Sequence, residues 1–174
     1  MTLSSRHVDG VWLPTTWTHP SHVPVTATHH LRPVRATDVD LDLQAVLATR
    51  ERLWATYGPV WGWPPADLDR ARHHADLARN EVETAAQEAF TYALFDTAET
   101  QVLGGVYVDP PEKHGADAEI SWWVVDELLE SECQVALDAF VPAWVAADWP
   151  FTCPRYVGRD LSWQTWLDLP DLIP

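Results

Sequence analysis

Three clusters in this sequence hold side chains able to do chemistry. The first is Ala118-Glu119-Ile120-Ser121-Trp122-Trp123-Val124, where one carboxylate, Glu119, sits in an otherwise apolar and aromatic run. A carboxylate so placed moves protons, or it pairs with an arginine at a strand end. The second is Arg155-Tyr156-Val157-Gly158-Arg159. Its two guanidinium groups are the best basic candidates outside the first helix for holding an anion, or they neutralise the acidic segment 126–132. The third is Trp61-Gly62-Trp63-Pro64-Pro65. Its rings wall a pocket for an apolar or planar ligand, or they anchor a loop to the core.

Metal and thiol chemistry find less support. His29-His30 and His73-His74 are adjacent pairs whose rings diverge on a strand or helix, and neither H-x3-H nor HExxH occurs. His19-x-x-His22 lies beside Pro20 and Pro24. Solvated histidines and no metal are the expectation. Cys133 and Cys153 form no CxxC and no disulfide framework, which points to a reducing cytosol. Cys133 has acidic neighbours that raise a thiol pKa, so a nucleophilic cysteine is not expected.

The elements that must position these residues are read from periodicity. Residues 1–30, with Pro14, Pro20 and Pro24, have no period and form an extended arm pinned by Trp12 and Trp17; residues 31–174 form one domain. Leu31–Arg35 is a short strand at an edge or bulge, because Pro33 cannot donate to a ladder. Thr37 and Asp38 cap a helix whose face carries Val39, Leu43, Val46, Leu47, Leu53, Trp54 and Tyr57, stopped by Gly58-Pro59. A second helix starts near Pro65 with Asp67 and Asp69 in its first turn. Its narrow face is Leu68, Ala71, Ala75, Ala78, Val82 and Ala85.

The period then changes to two. FTYALFD (90–96), QVLGGVYVD (101–109) and AEISWWVV (118–125) read as an antiparallel meander, with Gly104-Gly105 marking a bulge or a close backbone approach. Alternation puts Glu119, Ser121 and Trp123 on one face and Ile120, Trp122 and Val124 on the other. Ser131-x-x-Gln134 is a capping box before a third helix with Leu137, Phe140, Val141, Trp144 and Val145 inward, kinked or shortened by Pro142. Residues 155–160 are a strand or extended segment, and SWQTWLDL is a short amphipathic turn. The fold class is α+β, with helices against a mostly antiparallel sheet.

Length and composition set the bounds. The chain has 174 residues, enough for one domain with its own core, and 47% hydrophobic against 21% charged residues is a globular composition. No apolar run approaches the ~20 residues of a membrane span, and the first twenty residues hold no apolar stretch of the signal-peptide kind. A net charge of −15, from 26 acids and 11 bases, argues against nucleic acid or an anionic membrane as partner. The expectation is an acidic protein of the cytoplasm. Eleven tryptophans against eight Phe and Tyr combined mean that large amphipathic rings line something.

The element order from 31 to about 148 resembles the GCN5-related N-acetyltransferases, the GNAT superfamily. Ala118–Val124 is similar to that family's fourth strand, and LGGVYVDPP (103–111) to its third. The resemblance implies a GNAT-like fold with a shortened C-terminal part, acetyl-CoA as cofactor, and acyl transfer to an amine. It implies that the backbone of Ile120, Ser121, Trp122, Trp123 and Val124 holds the pantetheine arm, with Arg155 and Arg159 available to its phosphates. Glu119 would deprotonate the amine and Tyr156 would protonate the departing thiolate, although a packing tyrosine is the plainer reading. The segment between the first two helices would give a small-molecule pocket walled by Trp54, Tyr57, Trp61 and Trp63, with Trp123 beside it.

The chain departs from that family at one place. Its glycine-rich diphosphate loop should fall at 126–133, where Asp126-Glu127-Leu128-Leu129-Glu130-Ser131-Glu132-Cys133 has no glycine, no base and four carboxylates. Two function classes follow: an N-acetyltransferase acting on a small amine, or a protein of this fold that has lost CoA and binds or transforms a ligand in a tryptophan-lined cleft. Only 26 residues follow Asp148. The sheet edge this shortening exposes needs a cover, either the amino-terminal arm or a second copy in a homodimer.

Overall fold

A computed structural model describes residues 12–172. Its six-stranded sheet has the order β1 (Val23–Pro24), β2 (His29–Pro33), β3 (Phe90–Asp96), β4 (Val102–Asp109), β5 (Ala118–Val124) and β6 (Pro154–Tyr156). The pairs from β1 to β5 are antiparallel, and β6 runs parallel to β5. Helices α1 (Val39–Ala48), α2 (Arg50–Trp61) and α3 (Arg70–Ala86) cover one face, and α4 (Glu132–Asp148) covers the other. A short α5 (Trp163–Leu167) follows β6.

Strand alternation divides the core. Phe90, Tyr92, Leu94, Val106, Ile120 and Trp122 meet Leu137, Val141, Trp144 and Val145 of α4. Ala93, Phe95 and Trp123 meet Val46, Leu53, Tyr57 and Leu77 on the opposite face. All seven residues of β5 are buried, as a strand covered on both faces requires. Residues from Trp12 onward lie along the α4 side. Trp12 stacks on Phe151 at 5.5 Å and its indole N–H donates to the Asp117 carbonyl at 2.9 Å. Trp17 sits 4.8 Å from Trp149 and donates to the Asp148 carbonyl at 3.0 Å. The first eleven residues of the expected arm lie outside the described residues.

Several elements differ from the sequence reading. The expected long first helix is two, broken at Thr49 (φ −107°, ψ 10°), so its apolar stripe does not stay on one face. Leu47 and Trp54 stand exposed as a result, Trp54 at 45%. Gly58-Pro59 does not stop the chain: α2 runs on to Trp61 and is closed by Gly62 at φ 62°, whose N–H donates to the Gly58 carbonyl. Proline in the last turn removes little, because few donors remain beyond it.

Helix α3 starts only at Arg70, with the Asp69 carboxylate capping the Arg72 N–H at 2.8 Å. Its buried face is His73, Leu77 and Thr84, whereas Ala71, Ala75, Val82 and Ala85 face solvent. Alanines release little free energy on burial, so an inward polar pair reoriented the helix: His73, 3% exposed, bonds Asp42 of α1 at 2.7 Å. His30 is likewise buried against Glu99 at 3.0 Å. Solvated histidines are therefore the wrong expectation for both.

Strand β2 begins at His29 and pairs with a two-residue β1 inside the expected arm. Pro142 neither ends nor shortens α4, which is continuous for 17 residues. Ser131 caps it by accepting from the Gln134 N–H at 3.3 Å, while the Gln134 side chain accepts from Glu130 rather than closing on Ser131.

Gly104 and Gly105 serve both expected purposes. The β3–β4 register shifts between Leu94 and Phe95, leaving Leu103 as the extra residue. A Cβ on Gly104 would overlap the Trp123 carbonyl oxygen, and one on Gly105 would lie 2.9 Å from the Trp123 indole nitrogen. Gly104→Ala is expected to cost about 3 kcal/mol of stability in chemical denaturation, because a rigid backbone atom cannot give way. A cost under about 0.5 kcal/mol, the range of a neutral surface change, would show that β4 and β5 are less tightly registered than this.

Candidate functional site

The β4–β5 register places the site. Gly105 faces Trp123, Tyr107 faces Ser121, and Asp109 faces Glu119, all on the sheet face away from α4. Over them lie the end of α2 with Tyr57 and Trp61, the turn at Trp63, and the tail with Trp163 and Trp166. Tyr57 is the hub of this aromatic roof. Its ring stacks on Trp61 at 5.3 Å and 8°, and meets Trp163 edge-on at 5.2 Å, Tyr107 at 5.8 Å and Trp63 at 5.9 Å. Trp123 lies beneath, its indole N–H donating to the Tyr107 hydroxyl at 3.0 Å. Burial pushes the Tyr57 hydroxyl up to about 12 and that of Tyr107 well above its ordinary value, so both stay neutral.

Between roof and sheet is a small cleft, with an empty volume of about 260 Å³ counting its open mouth. Trp61, Trp163 and Trp166 wall it; Asp109, Glu112, Glu119 and Ser121 supply its polar atoms. Glu119 is engaged on both oxygens, by Arg155 Nη1 at 2.8 Å and by the Glu112 backbone N–H at 3.2 Å. Arg155 also donates to the His114 carbonyl at 2.8 Å. Asp109 has no such partner. Burial, then Glu112, Glu119 and Glu83, push its carboxyl from 3.8 up to about 8. Burial and Glu119 push Glu112 upward as well.

The residues singled out in sequence are thus only partly brought together. Trp61 and Glu119 line the cleft, with Ile120 and Ser121. Tyr57, Trp63 and Trp123 form its aromatic support. Trp54 is outside it, its ring lying over Gly58. Tyr156 is across the sheet from Glu119, its ring 6.1 Å from Trp122 on the α4 side. Burial and Asp160 raise its hydroxyl. The two guanidinium groups part likewise: Arg159 lies 4.7 Å over Trp122 and 3.2 Å from Asp138. Neither reaches the acidic 126–132 segment. Arg52 of α2 does, donating to Asp126 at 2.7 Å and to the Val124 carbonyl.

Beside the cleft, β5 has a free stretch of edge. Pairing with β6 ends where the Val157 N–H meets the Ile120 carbonyl at 2.9 Å, and no strand continues it along Ser121–Val124 among the described residues. The following loop is folded on itself. Asp126–Leu128 form a 3-10 turn, and the N–H groups of Leu128, Leu129, Glu130, Ser131 and Gln134 are all taken within 125–134. Among the described residues, no three His, Cys, Asp or Glu groups are placed to hold a metal ion, and no helix is long and apolar enough to cross a membrane. Cys133 is buried, which pushes its thiol up.

The Asp109 environment predicts how stability depends on pH. A carboxyl raised in the folded state keeps a proton that the unfolded chain releases, so stability falls as pH rises from about 4 to about 8. Asp109→Asn is expected to remove much of that fall and to raise the melting temperature most at pH 8 and above. Parallel pH–stability curves for the two proteins would contradict the environment described.

Protein-family models give no match to the sequence, and curated proteins give none. Solved structures do. The ribosomal L7/L12 alpha-N-protein acetyltransferase RimL aligns with a TM-score of 0.57 at 18% identity, over 72% of this chain and 65% of that one, so under two thirds of its length is spanned. The microcin C7 self-immunity acetyltransferase MccE, solved with acetyl-CoA and AMP, aligns with a TM-score of 0.57 at 11% identity over 74% and 69%. FdhC, a nucleotide-linked sugar GNAT, gives 0.53 at 12% identity over 81% and 72%. The chain has the fold of the GCN5-related N-acetyltransferases.

Proposed function

We propose that the protein transfers an acyl group from a thioester to a small-molecule amine. The observation that carries this reading is the juxtaposition on one strand: the β5 edge along Ser121–Val124, which has no strand partner and only its Val124 carbonyl taken by Arg52, adjoins a cleft lined by Asp109, Glu112 and Glu119. An extended amide chain pairs with such an edge as another strand would, and a carboxylate-lined cleft attracts an ammonium group. The low volume and the covering tail favour a small acceptor over a polypeptide terminus. A cytoplasmic location, and a homodimer that covers the short edge strands β1 and β6, belong to the same reading.

Acetyl-CoA fits this chain in part. Ile120, Ser121, Trp122, Trp123 and Val124 would hold its pantetheine arm along the β5 backbone, where it would present its thioester. Its diphosphate does not fit the loop at 126–133. That loop has spent five N–H groups on itself and carries Asp126, Glu127, Glu130 and Glu132 on its surface. Glu119 is held by Arg155, so its proposed part is to fix that guanidinium and β6 beside the cleft; Tyr156 is kept from the cleft by the sheet.

The loop favours a second reading, in which the chain no longer uses CoA and the cleft binds a ligand for other ends. Calorimetric titration separates the two. S-acetylpantetheine is expected to bind at least as tightly as acetyl-CoA, and acetyl-CoA to bind more tightly as salt screens the loop. Glu127→Lys with Glu130→Lys should tighten acetyl-CoA alone. No heat from either thioester, with the protein shown folded, would remove acyl transfer and leave the second reading.

A further inference from the structure

The chain that follows β6 is held over the cleft by a short set of contacts. Ser162 caps α5 by accepting from the Thr165 N–H at 3.1 Å. Trp163 then enters the core of the helical face, edge-on to Tyr57 at 5.2 Å and to Trp61 at 5.4 Å. Trp166, one turn on, is 2% exposed yet joins neither hydrophobic core among the described residues. It rests on Trp163 at 5.9 Å and under Nζ of Lys113, the chain's sole lysine, at 4.9 Å. Beyond it the chain bridges antiparallel to the β4–β5 loop. The His114 N–H donates to the Pro170 carbonyl at 3.0 Å and the Leu172 N–H to the Glu112 carbonyl at 2.7 Å. Between these two bonds Lys113 donates to Asp171 at 2.6 Å.

Closure is opposed by what it buries. The Trp166 indole N–H has no acceptor among the described residues, and a buried donor without a partner favours the open state. Against that stand one ion pair whose acid, Asp171, is 63% exposed, one cation–π contact and the two backbone bonds. Most of 164–172 faces solvent, and a segment with so few buried contacts opens without the rest of the fold. The cleft needs such an opening. Glu119 and Ser121 on its floor are 7% and 4% exposed, and its volume of about 260 Å³ falls short of the ~300 Å³ at which ligand pockets begin.

We propose that residues 164–172 form a strap that swings from the cleft as a unit, pivoting at Trp163, and that Lys113, paired with Asp171 and seated over Trp166, is its latch. Opened, the strap uncovers the floor at Glu119 and Ser121; closed, it seals a ligand beneath Trp166. This rests on the cleft's being a binding site, which both readings of the function share, and not on acyl transfer. The latch answers to charge: losing the Lys113 or the Asp171 charge frees the strap, and added salt weakens it.

The test needs no ligand. Ser121→Cys is placed in a Cys153→Ser background, and iodoacetamide, small and uncharged, reports when the thiol at position 121 meets solvent. The buried Cys133 reports global opening in the same sample. Asp171→Asn and Lys113→Met are each expected to speed labelling at position 121 by about tenfold or more at low salt, with Cys133 unchanged, whereas Lys113→Arg keeps the original rate. Hydrogen exchange on the protein with its own cysteines and Ser121 decides the matter alone should Ser121→Cys not fold. The His114 and Leu172 amides should exchange together, about a hundredfold or more faster than the β4–β5 ladder, and faster still in Asp171→Asn. Labelling at position 121 that ignores both latch variants, labelling that moves only in step with Cys133, or a His114 amide protected as long as the ladder would overturn the strap. A strap that opens in both measurements while no thioester binds would sustain it and sink acyl transfer; thioester binding beside an immobile strap would do the reverse.

Discussion

Two carboxylates facing each other across a buried strand pair repel, and the β4–β5 register leaves this chain to answer the repulsion with a retained proton on Asp109 and a counter-ion on Glu119. Gly104 and Gly105 sit so close to Trp123 that no side chain fits between the strands there, which fixes Asp109 opposite Glu119. Arg155 then becomes a structural necessity, and it reaches Glu119 only because β6 lies parallel to β5 with Arg155 as its register partner. The chain running on from β6 brings Trp163 and Trp166 over the same face. One register thus sets the charge of the cleft, the identity of its counter-ion and the source of its roof.

The roof is as dependent on Tyr57 as the floor is on the glycines. A stacked Trp61 and edge-on Trp163, Tyr107 and Trp63 around a single buried ring make a rigid hydrophobic lid with few polar atoms to satisfy. Such a lid thins the water around Asp109, and this burial raises its carboxyl more than any neighbouring acid does. Packing and proton affinity are therefore the same property seen at two levels. The tail is pinned to this arrangement by the Lys113–Asp171 pair and by the Leu172 N–H on the Glu112 carbonyl at 2.7 Å.

What the sequence disclosed follows from what is local. The three meander strands alternate cleanly, so their face assignments, the glycine pair and the exposed question of Glu119's partner were all legible; the arginine pairing already weighed for it is the one the structure contains. Asp109 was not, because its chemistry comes from a cross-strand partner and an aromatic roof contributed by residues about fifty positions away on either side. Nor were Trp163 and Trp166, which read as part of a short amphipathic turn until the parallel β6 carries them back. The face of α3 misled for a different reason. Small alanines mark a stripe that buries little, and the polar His73–Asp42 pair across helices leaves no periodic signal.

The donor side shows the limit of arguing from a scaffold. An unpaired edge at Ser121–Val124 is a feature of the sheet and follows from where β6 stops, whereas a diphosphate cradle is a feature of one loop's donors and charges. The two were free to diverge. Here Arg52, reaching from α2 to the Val124 carbonyl and Asp126, ties the acidic loop to the end of the edge. That contact closes the corner where an extended ligand would turn from the strand towards the α4 amino terminus. A ligand ending before Val124 meets a free edge and a carboxylate-lined cleft; one extending beyond it meets a guanidinium already spent and four carboxylates. The room an extended ligand finds beside β5 is therefore set by Arg52 and the acidic loop, and not by the sheet itself.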